Sequence, residues 1–205
     1  MPWCKSNRRD FWPLVAVLTL GAGSLTCVPA RSSSLDQLQV QRSASGLLLY
    51  AEMRLHLAEP VRAALNSGIP VYFVARATVL RERWYWTDEE LSSVARYSRM
   101  AYHPLTRRWR LNVSSQPLSG TRLGTGLSSR DFDSLDDILT AIGHIAGWQV
   151  ADAAELREDG RQVLEFDFWL DAGRLPAALR VGAARDADWR LSFTQRIDLG
   201  EQQRS

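Results

Sequence analysis

The sequence predicts an α+β fold dominated by antiparallel β-structure, either one large sheet or a two-sheet sandwich, with two or three short helices. Three observations carry this expectation. Long stretches of the chain alternate apolar and polar residues with period two, the mark of half-buried strands. The links between neighbouring stretches are mostly short, which favours antiparallel pairing, because parallel strands need long crossovers. Strands and helices do not alternate as β-α-β units, and no segment repeats.

The first alternating stretch is GLLLYAEMRLHL (46–57), where Leu47, Leu49, Ala51, Met53, Leu55 and Leu57 point one way and Leu48, Tyr50, Glu52, Arg54 and His56 the other. PVRAALNSG (60–68) reads as a short helix, with Pro60 in its first turn and Gly68 at its end. IPVYFVARATVLRERWYW (69–86) is a second long strand, with Val71, Phe73, Ala75, Ala77 and Val79 on one face. Residues 91–103 and 107–113 form a hairpin around His103-Pro104-Leu105-Thr106. SSQPLSGTRLGTGLSSR (114–130) reads as a loop. SLDDILTAIGHIAGW (134–148) is the clearest helix: Ser134 caps it, Asp137 answers three residues on, and Leu135, Ile138, Ile142 and Ile145 make the stripe. QVLEFDFWL (162–170) returns to period two, with Leu164, Phe166, Phe168 and Leu170 opposed to Glu165, Asp167 and Trp169. A last strand covers about 188–199. Six or seven strands are expected in all.

A chain of 205 residues suits one domain with an added segment. Residues 1–30 read as that segment, a signal peptide or N-terminal anchor, and 31–200 as a single β-rich domain. Lys5, Arg8 and Arg9 give a positive start, Phe11–Leu25 is apolar, and Val28-Pro29-Ala30 offers small residues for cleavage. Two outcomes stay open: removal of the segment, leaving a periplasmic protein, or attachment to the inner membrane, through retained residues 11–25 or a lipid anchor. Pro13, Gly21 and Gly23 break the apolar run, which favours removal. Losing Lys5, Arg8, Arg9 and Asp10 takes the formal charge from +2 to zero. A neutral domain argues against nucleic acid as a partner. Both cysteines, Cys4 and Cys27, leave with the segment, so the domain would stand on its core without disulfides.

No motif carries a catalytic or cofactor signature. His56, His103 and His144 lack partners at metal spacing. GTRLGTG (120–126) lacks the Lys-Ser/Thr and the strand–turn–helix setting of a phosphate loop. Asp131, Asp133, Asp136 and Asp137 could bind calcium, but the glycine and distal glutamate of a calcium loop are missing, and helix capping accounts for the last two. No metal, cofactor or catalytic residue is therefore expected, and the chain reads as a non-enzyme. Charge is uneven: residues 76–110 hold eight Arg and four acids, and 131–171 hold eleven acids and two Arg. Either these segments face each other, or they polarise the surface for a charged partner.

One stretch points to recognition. RERWYWTDEE (81–90) sets Trp84, Tyr85 and Trp86 beside Arg81 and Arg83. In a regular strand Trp84 and Trp86 share the mixed face of Thr78, Leu80 and Glu82; a bulge near Arg81-Glu82-Arg83 would exchange the faces. Aromatic side chains next to arginines grip peptides, sugars or bases, and they also pack under loops. Arg83, Trp84, Tyr85 and Trp86 are the candidate partner or ligand surface.

GIPVYFVARATVLRERWYW, YSRMAYHPLTRRWRL, DSLDDILTAIGHIAGWQV and LPAALRVGAARDADWRLS together resemble the bacterial family termed domain of unknown function 4390. The resemblance covers roughly residues 35–198 and is most specific at Arg83–Trp86 and Tyr102–Arg110. It implies an exported or membrane-attached proteobacterial protein without assigned activity, in a gene setting beside a membrane sensor kinase and response regulator. It carries over no catalytic residue. The function expected is an exported protein-interaction module of the cell envelope, tied to such a pathway. The alternative is a periplasmic carrier or sensor of a small apolar or sugar-like ligand held between two sheets.

Overall fold

The computed structural model describes residues 32–83, 87–118, 128–156 and 160–200. The expected export segment, residues 1–30, lies outside them. Among the described residues nine strands form two antiparallel sheets. The smaller has the order β1-β2-β7, from β1 (Ser34–Ser43), β2 (Gly46–Arg54) and β7 (His144–Asp152). The larger has the order β6-β5-β4-β3-β8-β9. It comprises β3 (Val71–Arg81), β4 (Glu89–His103), β5 (Arg108–Ser114), β6 (Ser128–Phe132), β8 (Gln162–Leu170) and β9 (Ser192–Asp198). Helix α1 (Glu59–Asn66) carries the chain from the smaller sheet to the larger, α2 (Leu135–Gly143) carries it back, and α3 (Ala177–Arg185) lies between β8 and β9. The α+β, mostly antiparallel class holds, in its two-sheet form.

Alternation explains the core. Leu47, Leu49, Ala51 and Met53 of β2 share one buried cluster with Val71, Phe73, Ala75, Ala77 and Val79 of β3 and Leu164, Phe166, Phe168 and Leu170 of β8. Each large side chain so buried contributes about 1.5–3 kcal/mol. The Phe168 ring stacks on Phe73 at 5.8 Å and on Phe193 of β9 at 6.2 Å between centroids, tying three strands together. Ile138, Leu139 and Ile142 bring α2 into the same cluster.

The boundaries depart from expectation where polarity or period misleads. β1 (SLDQLQVQRS) lies where no strand is expected, and β6 (SSRDF) begins inside the expected loop 114–130. Both are edge strands, and an edge strand facing water needs few apolar residues. β2 ends at Arg54 and β3 at Arg81, short of the expected 57 and 86. The 188–199 strand begins only at Ser192, after a 3₁₀ turn at Ala187–Trp189.

The helix expected over 134–148 is the main correction. It stops at Gly143, and His144–Asp152 becomes β7, paired with β2. Ser134 caps it as expected: its Oγ accepts the Asp137 N–H at 3.1 Å and its hydroxyl donates to the Asp137 carboxylate at 2.7 Å. The apolar period runs on through Ile145, but that residue is buried on a strand. Gly147, in the segment expected to be helical, lies within β7. It takes φ of 60° beside Ala146, where two residues of β7 face Tyr50 alone, a bulge that glycine admits.

Gly143 marks where helix gives way to strand, because its backbone packs directly against the Met53 carbonyl. Helix propensity alone predicts that Gly143→Ala stabilises by about 1 kcal/mol. The packing predicts the reverse: a methyl there overlaps the Met53 oxygen, so the variant should lose about 1–3 kcal/mol in urea unfolding.

Candidate functional site

The larger sheet buries one face in the core and turns the other outward. Strand register decides which side chains meet on that face. Arg99 of β4 stands opposite Tyr72 of β3; Tyr97 stands opposite Val74. On the other side of β3, Val74 stands opposite Trp169 of β8, and Arg76 opposite Asp167. Tyr97, Val74 and Trp169 thus make a row across three strands, with Arg99 and Tyr72 on one flank and Arg76 on the other. Val74 is only 2% exposed although it faces outward. The two larger aromatic side chains beside it remain half-buried and carry the surface.

Arg174 holds this row from above. It closes the 3₁₀ turn Ala172–Arg174, directly after β8. Its guanidinium carbon lies 5.7 Å from the Tyr72 ring centre and 5.6 Å from that of Tyr97. Nε donates to Asp171 Oδ2 at 2.9 Å and Nη1 to the Leu118 carbonyl at 2.6 Å. The Arg76 guanidinium lies 5.0 Å from the Trp169 ring centre. Such contacts are worth about 0.5–1 kcal/mol at exposed sites.

The charges around the row are mostly paired. Arg110 bonds Asp131 at 2.8 Å, Arg196 bonds Glu165 at 2.7 Å, and Arg161 bonds Asp198 at 2.6 Å. Among the described residues Arg76 and Arg99 have no ion-pair partner, as is also true of Arg96 and Arg130 in the same sheet. Asp167 faces Arg76 in register, but its carboxylate accepts the Thr194 hydroxyl at 2.8 Å. The face therefore presents an aromatic row between two guanidiniums without counterions.

The residues singled out in the sequence fall elsewhere. Arg83 lies just past β3, exposed, and its guanidinium bonds the Glu89 carboxylate, which Arg81 also bonds. Trp84, Tyr85 and Trp86 lie outside the described residues, as does GTRLGTG. The register shift nearest that stretch lies on the partner strand: Val79 pairs Ser92 and Leu80 pairs Glu90, leaving Leu91 extra in β4. Arg83 is seven residues from Arg76, about 23 Å along an extended strand, and takes no part in the row. The two unequally charged segments do meet, through Arg110–Asp131, Arg108–Asp133 at 3.4 Å and the pairing of β3 with β8. The acidic cluster resolves into those two ion pairs and the first turn of α2. His144 Nδ1 lies 3.9 Å from Glu52, and among the described residues no three His, Cys, Asp or Glu group as metal ligands.

Two grooves open where the described chain begins. One of about 320 Å³ is lined by residues that include Ser33, His56, Leu57 and Phe193, and one of about 580 Å³ by residues that include Ser34, Met53, His56 and Leu139. His56 touches both, with its backbone tied to the Ser33 hydroxyl.

A family model described as Domain of unknown function (DUF4390) matches residues 30–198. The chain belongs to this family. The DUF4390 match takes in every strand and helix described above, so the outward row belongs to the family domain itself. No curated protein and no solved structure matches the chain. Among the described residues no helix is long and apolar enough to cross a membrane.

Periodicity did place Trp169 on the polar side of β8, but its union with Tyr97 and Arg76 needs the register of three strands. Acid should test the surrounding pairs. Asp131 is held below the usual carboxylate range by its bond from Arg110, Asp198 by the Gly200 N–H and then Arg161, and Glu89 by Arg83 and then Arg81. A folded-state pKa below the unfolded one gives stability that is present above about pH 4 and lost as pH falls through the folded values. Urea stability should thus be higher at neutral pH than in acid. Asp131→Asn with Asp198→Asn should narrow the gap; an unchanged gap would refute the assignment.

Proposed function

We propose that this chain is an exported, non-enzymatic protein-interaction module of the bacterial cell envelope, which docks a partner on the outward row Tyr97–Val74–Trp169. The observation that carries this reading is the register: it sets half-buried Tyr97 and Trp169 side by side on the outward face, flanked by Arg99 and Arg76. Half-buried Tyr and Trp with arginine make strong anchors, since they bring large contact area at low entropy cost. The signal-like residues 1–30 support export, with the domain facing the periplasm or held at the inner membrane through residues 11–25. A membrane sensor-kinase pathway, implied by the family resemblance, is the first place to look for the partner.

The ligand-carrier alternative has less support. It needs room between the sheets, and that space holds Leu49, Phe73, Met100, Leu164 and Phe166, each at most 1% exposed.

Crosslinking in living cells, followed by purification of a C-terminally tagged chain, should recover one dominant envelope protein. Tyr97→Ala with Trp169→Ala should abolish that recovery under conditions where urea unfolding shows the variant still folded, its midpoint lowered by loss of the rings that cover Val74. Trp84→Ala with Trp86→Ala separates the two candidate surfaces. If recovery survives the first pair and fails with the second, docking belongs to the 83–86 stretch. If no partner rises above background, the module reading falls.

A further inference from the structure

We infer that the chain pairs with a second copy of itself along the free edge of β1, antiparallel and centred on Gln39. This surface is independent of the outward row, since β1 belongs to the smaller sheet and the row to the larger.

Length and composition single out this edge. Among the described residues the edge strands are β1 and β7 in one sheet, β6 and β9 in the other. β6 has five residues, and β9 has seven with Arg196 and Asp198 among them. Along β7 the Ser92 hydroxyl donates to the Val150 carbonyl at 2.9 Å, and the bulge at Gly147 interrupts the strand. β1 has ten residues, and among the described residues no strand pairs with its other side. A free edge offers unpaired N–H and C=O groups to a further strand, and charges, proline or bulges normally blunt it. On β1 such devices stand only at the ends. Asp36 is the extra residue of a bulge and is held by Arg54. Arg42 turns toward the larger sheet, with Nη2 3.4 Å from Gln162 Oε1. Between them Gln37–Gln41 holds no charge, no proline and no register shift.

Symmetry supplies the register. Leu38 stands opposite Ala51 and Val40 opposite Leu49, so both point into the core, while Gln37, Gln39 and Gln41 are exposed on the outer face. Gln-Leu-Gln-Val-Gln therefore has the same polarity read from either end. A two-fold axis through Gln39, perpendicular to the sheet, runs the two strands antiparallel and keeps the inner faces on one side. Gln39 meets Gln39 of the second copy, Leu38 meets Val40, and Gln37 meets Gln41. An axis through Val40 would set Leu38 against Arg42, and an axis through Leu38 would set Val40 against Asp36. An axis between two residues would set an inner side chain opposite an outer one. Each copy spends its one free β1 edge, so the assembly closes at two.

The test is cysteine crosslinking of the full chain carrying Cys4→Ser and Cys27→Ser, so that an introduced cysteine is the only thiol. Directly opposed residues of antiparallel strands have Cα atoms about 4.5–5.5 Å apart, within disulfide reach. Gln39→Cys should thus give a disulfide-linked dimer under mild oxidation. Gln37→Cys and Gln41→Cys should each stay uncrosslinked alone, because each lies ~14 Å along the strand from its own copy, and should crosslink when mixed. In sedimentation the parent mass should rise toward that of two chains with concentration. Gln37→Glu with Gln41→Glu sets like charges opposite each other twice and should weaken association about tenfold. Gln37→Lys with Gln41→Glu should restore it. Gln37 stands beside Glu52 of β2, so the first pair is checked for folding by urea unfolding; the cysteine pattern adds no charge and decides if that pair unfolds the edge. No crosslink at Gln39→Cys, a crosslink at Gln37→Cys alone as strong as at Gln39→Cys, or no rescue by the lysine–glutamate pair would each overturn the inference.

Discussion

Strand β3 is buried along its inner face and at two positions of its outer one, and much of the rest follows from that. Its inner residues Val71, Phe73, Ala75, Ala77 and Val79 are all 3% exposed or less. On the outer face Val74 and Thr78 are buried as well. The inner side is covered as in any two-layer fold, by the smaller sheet and α2. Among the described residues the outer side has no second layer of strands. Val74 is covered by its neighbours in register, Tyr97 and Trp169. Side chains large enough to shield a valine from the adjacent strands must also present a broad surface to solvent. The candidate docking row is therefore a consequence of burying Val74 of the central strand under side chains of the adjacent strands.

The same requirement explains why the row is firm. Arg174 is clamped by Asp171 and the Leu118 carbonyl, and it lies over both Tyr72 and Tyr97. It has spent its charge on the protein itself and acts by positioning the rings. On the far side, the Phe73–Phe168–Phe193 stack fixes β3, β8 and β9 from within the core. Rings on one face and phenylalanines on the other leave β3 and β8 little freedom to shift register. A slip of one residue would exchange the two faces entirely.

How much of this was legible in the sequence depended on whether the signal was local. β8 was readable to the residue, because Leu164, Phe166, Phe168 and Leu170 alternate without interruption. The inner face of β3 was readable for the same reason. β1 and β6 were not, since edge strands need no alternation and Gln, Ser and Arg fill them. β7 was hidden by a helical period that continues past the helix; what stops α2 is the approach of Gly143 to the Met53 backbone, a contact ninety residues away in the chain. The row was the least legible of all. Tyr97, Val74 and Trp169 belong to three segments, and nothing in any one of them announces the other two. The eye goes instead to Trp84, Tyr85 and Trp86, which advertise themselves by adjacency.

An arginine-rich domain holds its guanidiniums in more than one way. Arg110 and Arg196 present the edge of the guanidinium to a neighbouring carboxylate. Arg76 instead presents its carbon centre to the Trp169 ring at 5.0 Å. A guanidinium held over an aromatic ring is fixed in place while its N–H donors, which lie in its own plane, point outward. It is thus oriented without being neutralised. Holding a cation over a ring costs little, since the contact itself is favourable by about 0.5–1 kcal/mol. The entropy of ordering a long side chain is then already spent before any partner arrives, which is the condition under which a charged pair at an exposed site contributes to affinity and not merely to steering.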